Sequence, residues 1–260
     1  MELPDIQSQR DQRGIDVDQV GVAGVRYPIH FDDGFTKQSG VATFDVSVTL
    51  PADRRGTHMS RMVEVVHEHL QEFDPREMPN VLKLAADRLD VDGVRVGVAI
   101  PLAFTVTAPE SGRSAWQACD TTIVGQVKAG VTEVSSTVAT DVTSLCPCSK
   151  AISDYGAHNQ RSLVTLTTIG SGDDVYPLTV ATAFGLSRSV GSSPVYPVVK
   201  RVDERSLTMT AHDHPVFVED MARDLSHECR SRGVGHMITI RNFESIHSHD
   251  AVASVAWSPA

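Results

Sequence analysis

The sequence contains no run of about 18 apolar residues, the length a helix needs to cross a bilayer. It opens on Met1-Glu2-Leu3-Pro4-Asp5, without the basic segment followed by an apolar one that marks a secretory signal, so the expected compartment is the cytoplasm. It also lacks an excess of base. With 33 acidic residues against 23 Lys and Arg the net charge is -10, which argues against the broad cationic surface of a nucleic-acid binder. One polyanionic small molecule in a local basic pocket stays compatible with that balance. There is no Walker loop ending in Gly-Lys-Ser/Thr, no Gly-x-Gly-x-x-Gly fingerprint and no Gly-x-Ser-x-Gly elbow. A nucleotide substrate would therefore not sit in a P-loop. Cysteine is scarce, with four residues at 119, 146, 148 and 229. In a reducing compartment disulfides are not expected, which leaves packing, metal binding or catalysis. Cys119 and Cys229 fall in apolar-periodic stretches and read as small buried hydrophobes.

What is present is the composition of a globular protein. The chain has 260 residues, 41% hydrophobic and 22% charged, enough for one large domain or two small ones around a buried core. The first 40 residues carry little periodicity, and residues 1–20 are expected to form a mobile arm. Strands are expected at Gly24 to Phe31 and Gly40 to Leu50, the second with Ala42, Phe44, Val46 and Val48 alternating against Val41, Thr43, Asp45 and Ser47. Met59, Met62, Val63, Val66, Leu70 and Phe73 form one stripe at helical spacing and predict a helix from Thr57 to Phe73, stopped at Asp74-Pro75. A shorter helix is expected over Pro79 to Leu89, then long strands over Val94 to Ala108 and Ser114 to Val127. The second half repeats this order. Strands are expected at Val131 to Leu145 and Arg161 to Ile169, a short helix over 178 to 190, and a stronger helix over Pro215 to Arg232. Closing strands are expected at His236 to Ile246 and Asp250 to Trp257. The expected class is α+β, with modules at 21–128 and 129–260, each an antiparallel sheet with helices packed on one face.

The most informative stretch is Ser144-Leu145-Cys146-Pro147-Cys148-Ser149-Lys150 with His158 ten residues beyond Cys148. It follows a strand, where a loop holds reactive groups on a rigid frame. Thiolate and imidazole suit zinc and other borderline divalent ions. With no second Cys-x-x-Cys pair, an open site fits better than a closed finger, and idle loop cysteines fit the spacing equally well. Lys200-Arg201-Val202-Asp203-Glu204-Arg205 reads as a solvated charged turn. Glu219 neighbours the apolar stripe of its helix, so it is expected to be partly buried and paired, with a protein group or a ligand. His247 and His249 are two apart; on an extended segment they share a face, and imidazoles titrate near neutral pH, which suits proton transfer. A polar strand end facing water is the plainer reading.

Several blocks resemble the type IB GTP cyclohydrolases. They are Pro4-Asp5-Ile6-Gln7-Ser8 through Arg13-Gly14-Ile15, Val20-Gly21-Val22 and Arg26-Tyr27-Pro28-Ile29; the Cys146-Pro147-Cys148 loop through Gly156-Ala157-His158-Asn159-Gln160-Arg161-Ser162; Lys200-Arg201 with Asp203-Glu204; Phe217-Val218-Glu219-Asp220; and Asn242-Phe243-Glu244-Ser245-Ile246-His247-Ser248-His249. They run in order along nearly the whole chain and weaken at about 170 to 195 and in the final residues. The resemblance implies a tunnelling fold with two tandem modules per subunit, a homotetramer, and active sites at subunit interfaces. It implies that GTP is opened at C8 of its imidazole ring, formate leaves, and the ribose rearranges to give 7,8-dihydroneopterin triphosphate, a folate precursor. It implies one divalent metal, zinc, manganese or iron, held by Cys148, His158 and Glu204 and bringing the pKa of bound water down to about 7. Carboxylate in place of a second thiolate hardens the set and favours manganese or iron beside zinc. By the same resemblance Glu219 anchors the guanine edge, His247 or His249 shuttles protons, Lys150, Arg161, Lys200 and Arg201 are candidates for the triphosphate, and Cys146 sits beside the metal site.

Two other readings stand next to this one. A tunnelling-fold nitrile reductase-like enzyme would use Cys148 as a covalent nucleophile with NADPH and no metal. A non-catalytic pterin- or purine-binding protein would hold the ring without turning it over.

Overall fold

The computed structural model describes residues 5–7, 9–128 and 130–259, and the parts of the expected arm at residues 1–4 and 8 lie outside the described residues. The chain forms two compact units, one of Met1–Ile100, Thr122–Ser136 and Gly170–Tyr176, the other of Pro101–Thr121, Thr137–Ile169 and Pro177–Ala260.

The first unit is built on β1 (Val17–Asp32) and β2 (Lys37–Leu50), paired antiparallel. Strand β1 starts well before the expected Gly24. Its early part is irregular: the register slips between Val22 and Val25, and Gly24 takes a positive φ of 73° while its N–H donates to Asp45 Oδ1 at 2.8 Å. Only glycine adopts that conformation at no steric cost. The alternation on β2 is as expected, with Ala42, Phe44, Val46 and Val48 buried and Val41 exposed. Helix α1 (Met59–His69) buries Met62, Val65 and Val66 and ends four residues before the expected Phe73. There Glu72–Phe73 forms the short strand β3, parallel to β1, so Phe73 packs on Phe31 from a strand. A 3-10 turn over Pro75–Glu77 leads into α2 (Met78–Leu89). This helix lies over Gly125, where an added Cβ would come within 2.3 Å of Met78 Cγ. Residues 9 and 11 of the expected arm bond along residues 53–55, Asp11 N–H to Asp53 O at 2.9 Å and Arg55 N–H to Gln9 O at 3.1 Å.

Strands β4 (Val94–Thr107), β5 (Ser114–Lys128) and β6 (Val131–Leu145) contribute residues to both units, within one residue of their expected limits. The second unit adds β7 (Asn159–Ser171), β9 (Gly235–Asn242) and β10 (Ala251–Trp257), in the order β10-β9-β7-β6-β5-β4, with the short β8 (Ser193–Pro194) beside β6. Helix α6 (Val218–Ser231) packs on β9 and β10 through Val218, Met221, Ala222, Leu225 and Cys229. Full burial of side chains such as Met221 and Leu225 contributes about 1.5–3 kcal/mol each. Cys119 and Cys229 are buried and free, as expected. Burial pushes the Cys229 thiol up to about 11, so it stays a protonated packing group. Two helices come where the sequence reads as loop or turn: α3 (Pro147–Ile152) and α5 (Arg201–Asp213); the expected short helix is α4 (Val180–Ser189). The class is α+β, an antiparallel sheet with helices packed on one face.

Candidate active site

The loop that carries the expected donors Cys148 and His158 is closed between the end of β6 and the start of β7. The N–H of Cys146 donates to the carbonyl of His158 at 3.0 Å, closing residues 147–157 into a loop. Pro147 opens α3, where its missing N–H is not needed, and Cys146 caps the helix by accepting the Ser149 N–H on Sγ at 3.4 Å. Cys146 is thereby engaged, and Cys148 is exposed on the first turn. His158 is tied back to α3 by its own N–H, which reaches Ser149 Oγ at 3.3 Å.

The His158 ring is aimed by its surroundings. Nδ1 lies 2.8 Å from Gln160 Oε1 and 3.9 Å from Glu244 Oε2, and the His158 and Glu244 side chains are 13% and 10% exposed. Ser245 Oγ donates to the same Gln160 oxygen at 3.5 Å. Nothing in the spacing of Cys148 and His158 marks Gln160 or Glu244. The signal available was a glutamine two residues after a candidate ligand in a segment running into a strand, where alternate residues share a face.

A buried polar network fixes the frame around this pair. Ser144 Oγ donates to Val216 O at 2.9 Å and accepts from Asn242 Nδ2 at 3.1 Å, while Ser162 Oγ donates to Asn242 Oδ1 at 2.6 Å. Val216 N–H donates to Leu145 O at 3.2 Å, and Phe243 N–H to Arg161 O at 2.9 Å. The segments leading to Glu219 and to Glu244 are thus both anchored within a few residues of Cys148 and His158. Such fully paired buried groups hold a site rigidly.

Glu219 stands in the first turn of α6 and is exposed, not partly buried as expected. The α6 stripe runs through Val218, Met221, Ala222 and Leu225, and residue 219 points about 100° away from it, so its carboxylate is free for a ligand. His247 and His249 lie in the turn after β9, which ends at Asn242 instead of continuing to Ile246. Their rings still meet, stacked at 5.2 Å and 19°. Both are exposed.

Residues 200–205 are not a solvated turn. They open α5, and Asp203 is fully buried, its Oδ1 accepting from the N–H groups of Glu110 (2.9 Å) and Ser111 (2.8 Å) and its Oδ2 from Lys200 N–H (2.7 Å). Burial alone would raise this carboxyl, but the bonds from Ser111, Lys200 and Glu110 outweigh it and hold it well below the usual carboxylate range. Asp203 thus clamps the start of α5 to the β4–β5 turn and sets the position of Glu204, which faces outward beside it. Lys200 and Arg201 are exposed at the same helix start; Arg161 is exposed with Asp141 Oδ2 at 3.6 Å; Lys150 Nζ donates to the backbone carbonyl of His212.

The chemistry of Cys148 and His158 fits a divalent cation: one free thiol, and one imidazole whose Nδ1 is engaged so that Nε2 is the donor left. Among the described residues no group of three or more His, Cys, Asp or Glu is arranged to hold a metal ion, so Glu204 does not join the pair in this structure.

A family model described as type I GTP cyclohydrolase FolE2 matches residues 3–253. A protein of Ralstonia nicotianae named GTP cyclohydrolase FolE2 is 38% identical over 255 residues, covering 97% of this chain and 94% of that one. A FolE2 of Methylococcus capsulatus is 38% identical over 256 residues, covering 97% and 94%. Among solved structures, uricase from Arthrobacter globiformis aligns with a TM-score of 0.51 at 11% identity over 91% of this chain and 92% of that chain. A uricase from Bacillus fastidious gives 0.52 at 10% identity over 95% and 94%. At such identity the likeness to the uricases concerns the fold alone.

Proposed function

The chain belongs to the type I GTP cyclohydrolase FolE2 family, and from that membership we propose that it hydrolyses GTP to 7,8-dihydroneopterin triphosphate and formate, feeding folate synthesis, at the site around Cys148 and His158. The observation that supports the placement is the Cys146–His158 backbone bond, which closes the loop carrying the exposed Cys148 thiol and the His158 imidazole held by Gln160. Cys148, His158 and Glu204 are the proposed holders of one divalent metal. When bound, such a cation supplies the Lewis acidity that lets water ionise near neutral pH.

The protein's own groups do the rest. Glu219 accepts hydrogen bonds from the N–H groups of the guanine edge and orients the ring. His247 or His249 carries protons during ring opening and rearrangement, a role their exposed, stacked rings leave open to a substrate. Lys150, Arg161, Lys200 and Arg201 are the proposed contacts to the triphosphate, giving a local basic edge on a chain of net charge -10. In the same proposal the residues ahead of β1 form an arm, 21–128 and 129–260 are tandem tunnelling-fold modules, four copies assemble with active sites at their interfaces, and the enzyme works in the cytoplasm. An interfacial site agrees with how exposed Cys148, Glu204, Glu219 and both histidines are in a single copy.

Incubation of metal-loaded protein with GTP tests the reading: fluorescent pterin and formate are expected, and binding of GTP without either product contradicts it.

A further inference from the structure

We propose that Gln160 is the positioning residue that sets the tautomer and the aim of His158, an inference resting on the reading of Cys148 and His158 as metal donors. Gln160 is 7% exposed near the start of β7, and its side-chain Oε1 sits 2.8 Å from His158 Nδ1. A carbonyl oxygen only accepts, so the hydrogen of the neutral ring lies on Nδ1 and the lone pair on Nε2. The Ser245 hydroxyl converges on the same oxygen at 3.5 Å and helps hold the amide in place. Glu244 Oε2, 3.9 Å from Nδ1, places negative charge on the same side of the ring and favours the hydrogen there further.

The arrangement also restrains the ring. Its backbone is held at both ends, by Ser149 Oγ on the His158 N–H and by the Cys146 N–H on the His158 carbonyl. With Gln160 on Nδ1, the remaining freedom about the side-chain torsions is removed, and Nε2 is presented in one direction. A leucine of similar size at 160 would keep the packing but leave both tautomers and several ring orientations open. A glutamate would restore the acceptor. These two variants therefore separate a role in aiming the ring from a role in filling space.

The test is made on the full-length chain. Histidine tautomers are read by nitrogen-15 NMR on metal-free protein, and zinc affinity by competition with a chromophoric chelator. The wild type is expected to show His158 with its hydrogen on Nδ1. Gln160→Leu is expected to move that hydrogen toward Nε2 and weaken zinc binding about 10- to 100-fold, while Gln160→Glu keeps the Nδ1 hydrogen and stays within about threefold of wild type. A wild-type ring with its hydrogen on Nε2, or a folded Gln160→Leu protein with unchanged zinc affinity, overturns the proposal. If Gln160→Leu does not fold, the wild-type tautomer and Gln160→Glu decide. A wild-type chain that takes up no zinc, manganese or iron instead refutes the metal-site reading on which this rests.

Discussion

The N–H of Cys146 and the carbonyl of His158 meet at 3.0 Å, and that backbone bond closes the loop that carries both Cys148 and His158. The two cysteines of the motif have different work. Cys146 spends its sulfur on the Ser149 N–H, and Cys148 stands exposed.

Substitution separates the two thiols. Cys148→Ala is expected to lose bound metal and to reduce turnover by more than the roughly 10- to 100-fold typical of an outer partner of a metal ligand. Cys146→Ala is expected to keep metal and most turnover, at a stability cost of about 1 kcal/mol or less for a weak helix cap. Metal content by mass spectrometry with steady-state kinetics checks both; full turnover in Cys148→Ala contradicts the site.

Glu219→Gln replaces a charged acceptor by an amide that matches the guanine edge poorly. A hydrogen bond to a charged group is worth about 1.5–3 kcal/mol, so kcat/KM for GTP is expected to fall roughly 10- to 150-fold, mainly through KM. An unchanged KM removes Glu219 from the substrate.

His247→Ala and His249→Ala are expected to differ. The proton carrier should lose about 10²–10⁴ in kcat with its pH profile altered, and its stacking neighbour far less. Near wild-type rates for both single variants would sink the assignment.

Asp203 makes an acid-stability prediction. Its folded carboxyl titrates below the usual 3.8, so its contribution is fully present above that pH and is lost as pH falls from there toward the folded value. Thermal midpoints measured between about pH 6 and pH 2 should fall for the wild type on the acid side, with a shallower fall in Asp203→Asn. Equal slopes in the two proteins refute this role for the buried carboxylate.

How much was legible follows from where each element spends its side chains. Strands β4, β5 and β6 and helices α2 and α6 bury one regular face, and their limits follow from hydrophobic period alone. Helix α5 does not: Asp203 and Ala211 are its buried residues, while Val202 and Met209 stay exposed, so its sequence carries almost no apolar stripe. Its start is fixed instead by a buried carboxylate reaching back to its own N-cap N–H, a signal hidden in what reads as a charged turn. The spacing of Phe73 fits the α1 stripe, but pairing beside Phe31 holds it in a strand. At the site, Cys148 and His158 stand out by residue type, whereas Gln160, Glu244 and Asn242 matter only through contacts that folding creates. Glu219 was expected to be partly buried because a helix stripe has soft edges in sequence; in the fold it lies on the open side.

Cys148 and His158 are proposed to hold a metal that GTP opening requires. The most direct measurement is formate release from GTP by chelator-stripped protein before and after adding back zinc, manganese or iron. Activity that vanishes on stripping, returns with a divalent metal and does not return in Cys148→Ala is the expected result. Full activity in protein shown to be metal-free would contradict a metal at Cys148 and His158.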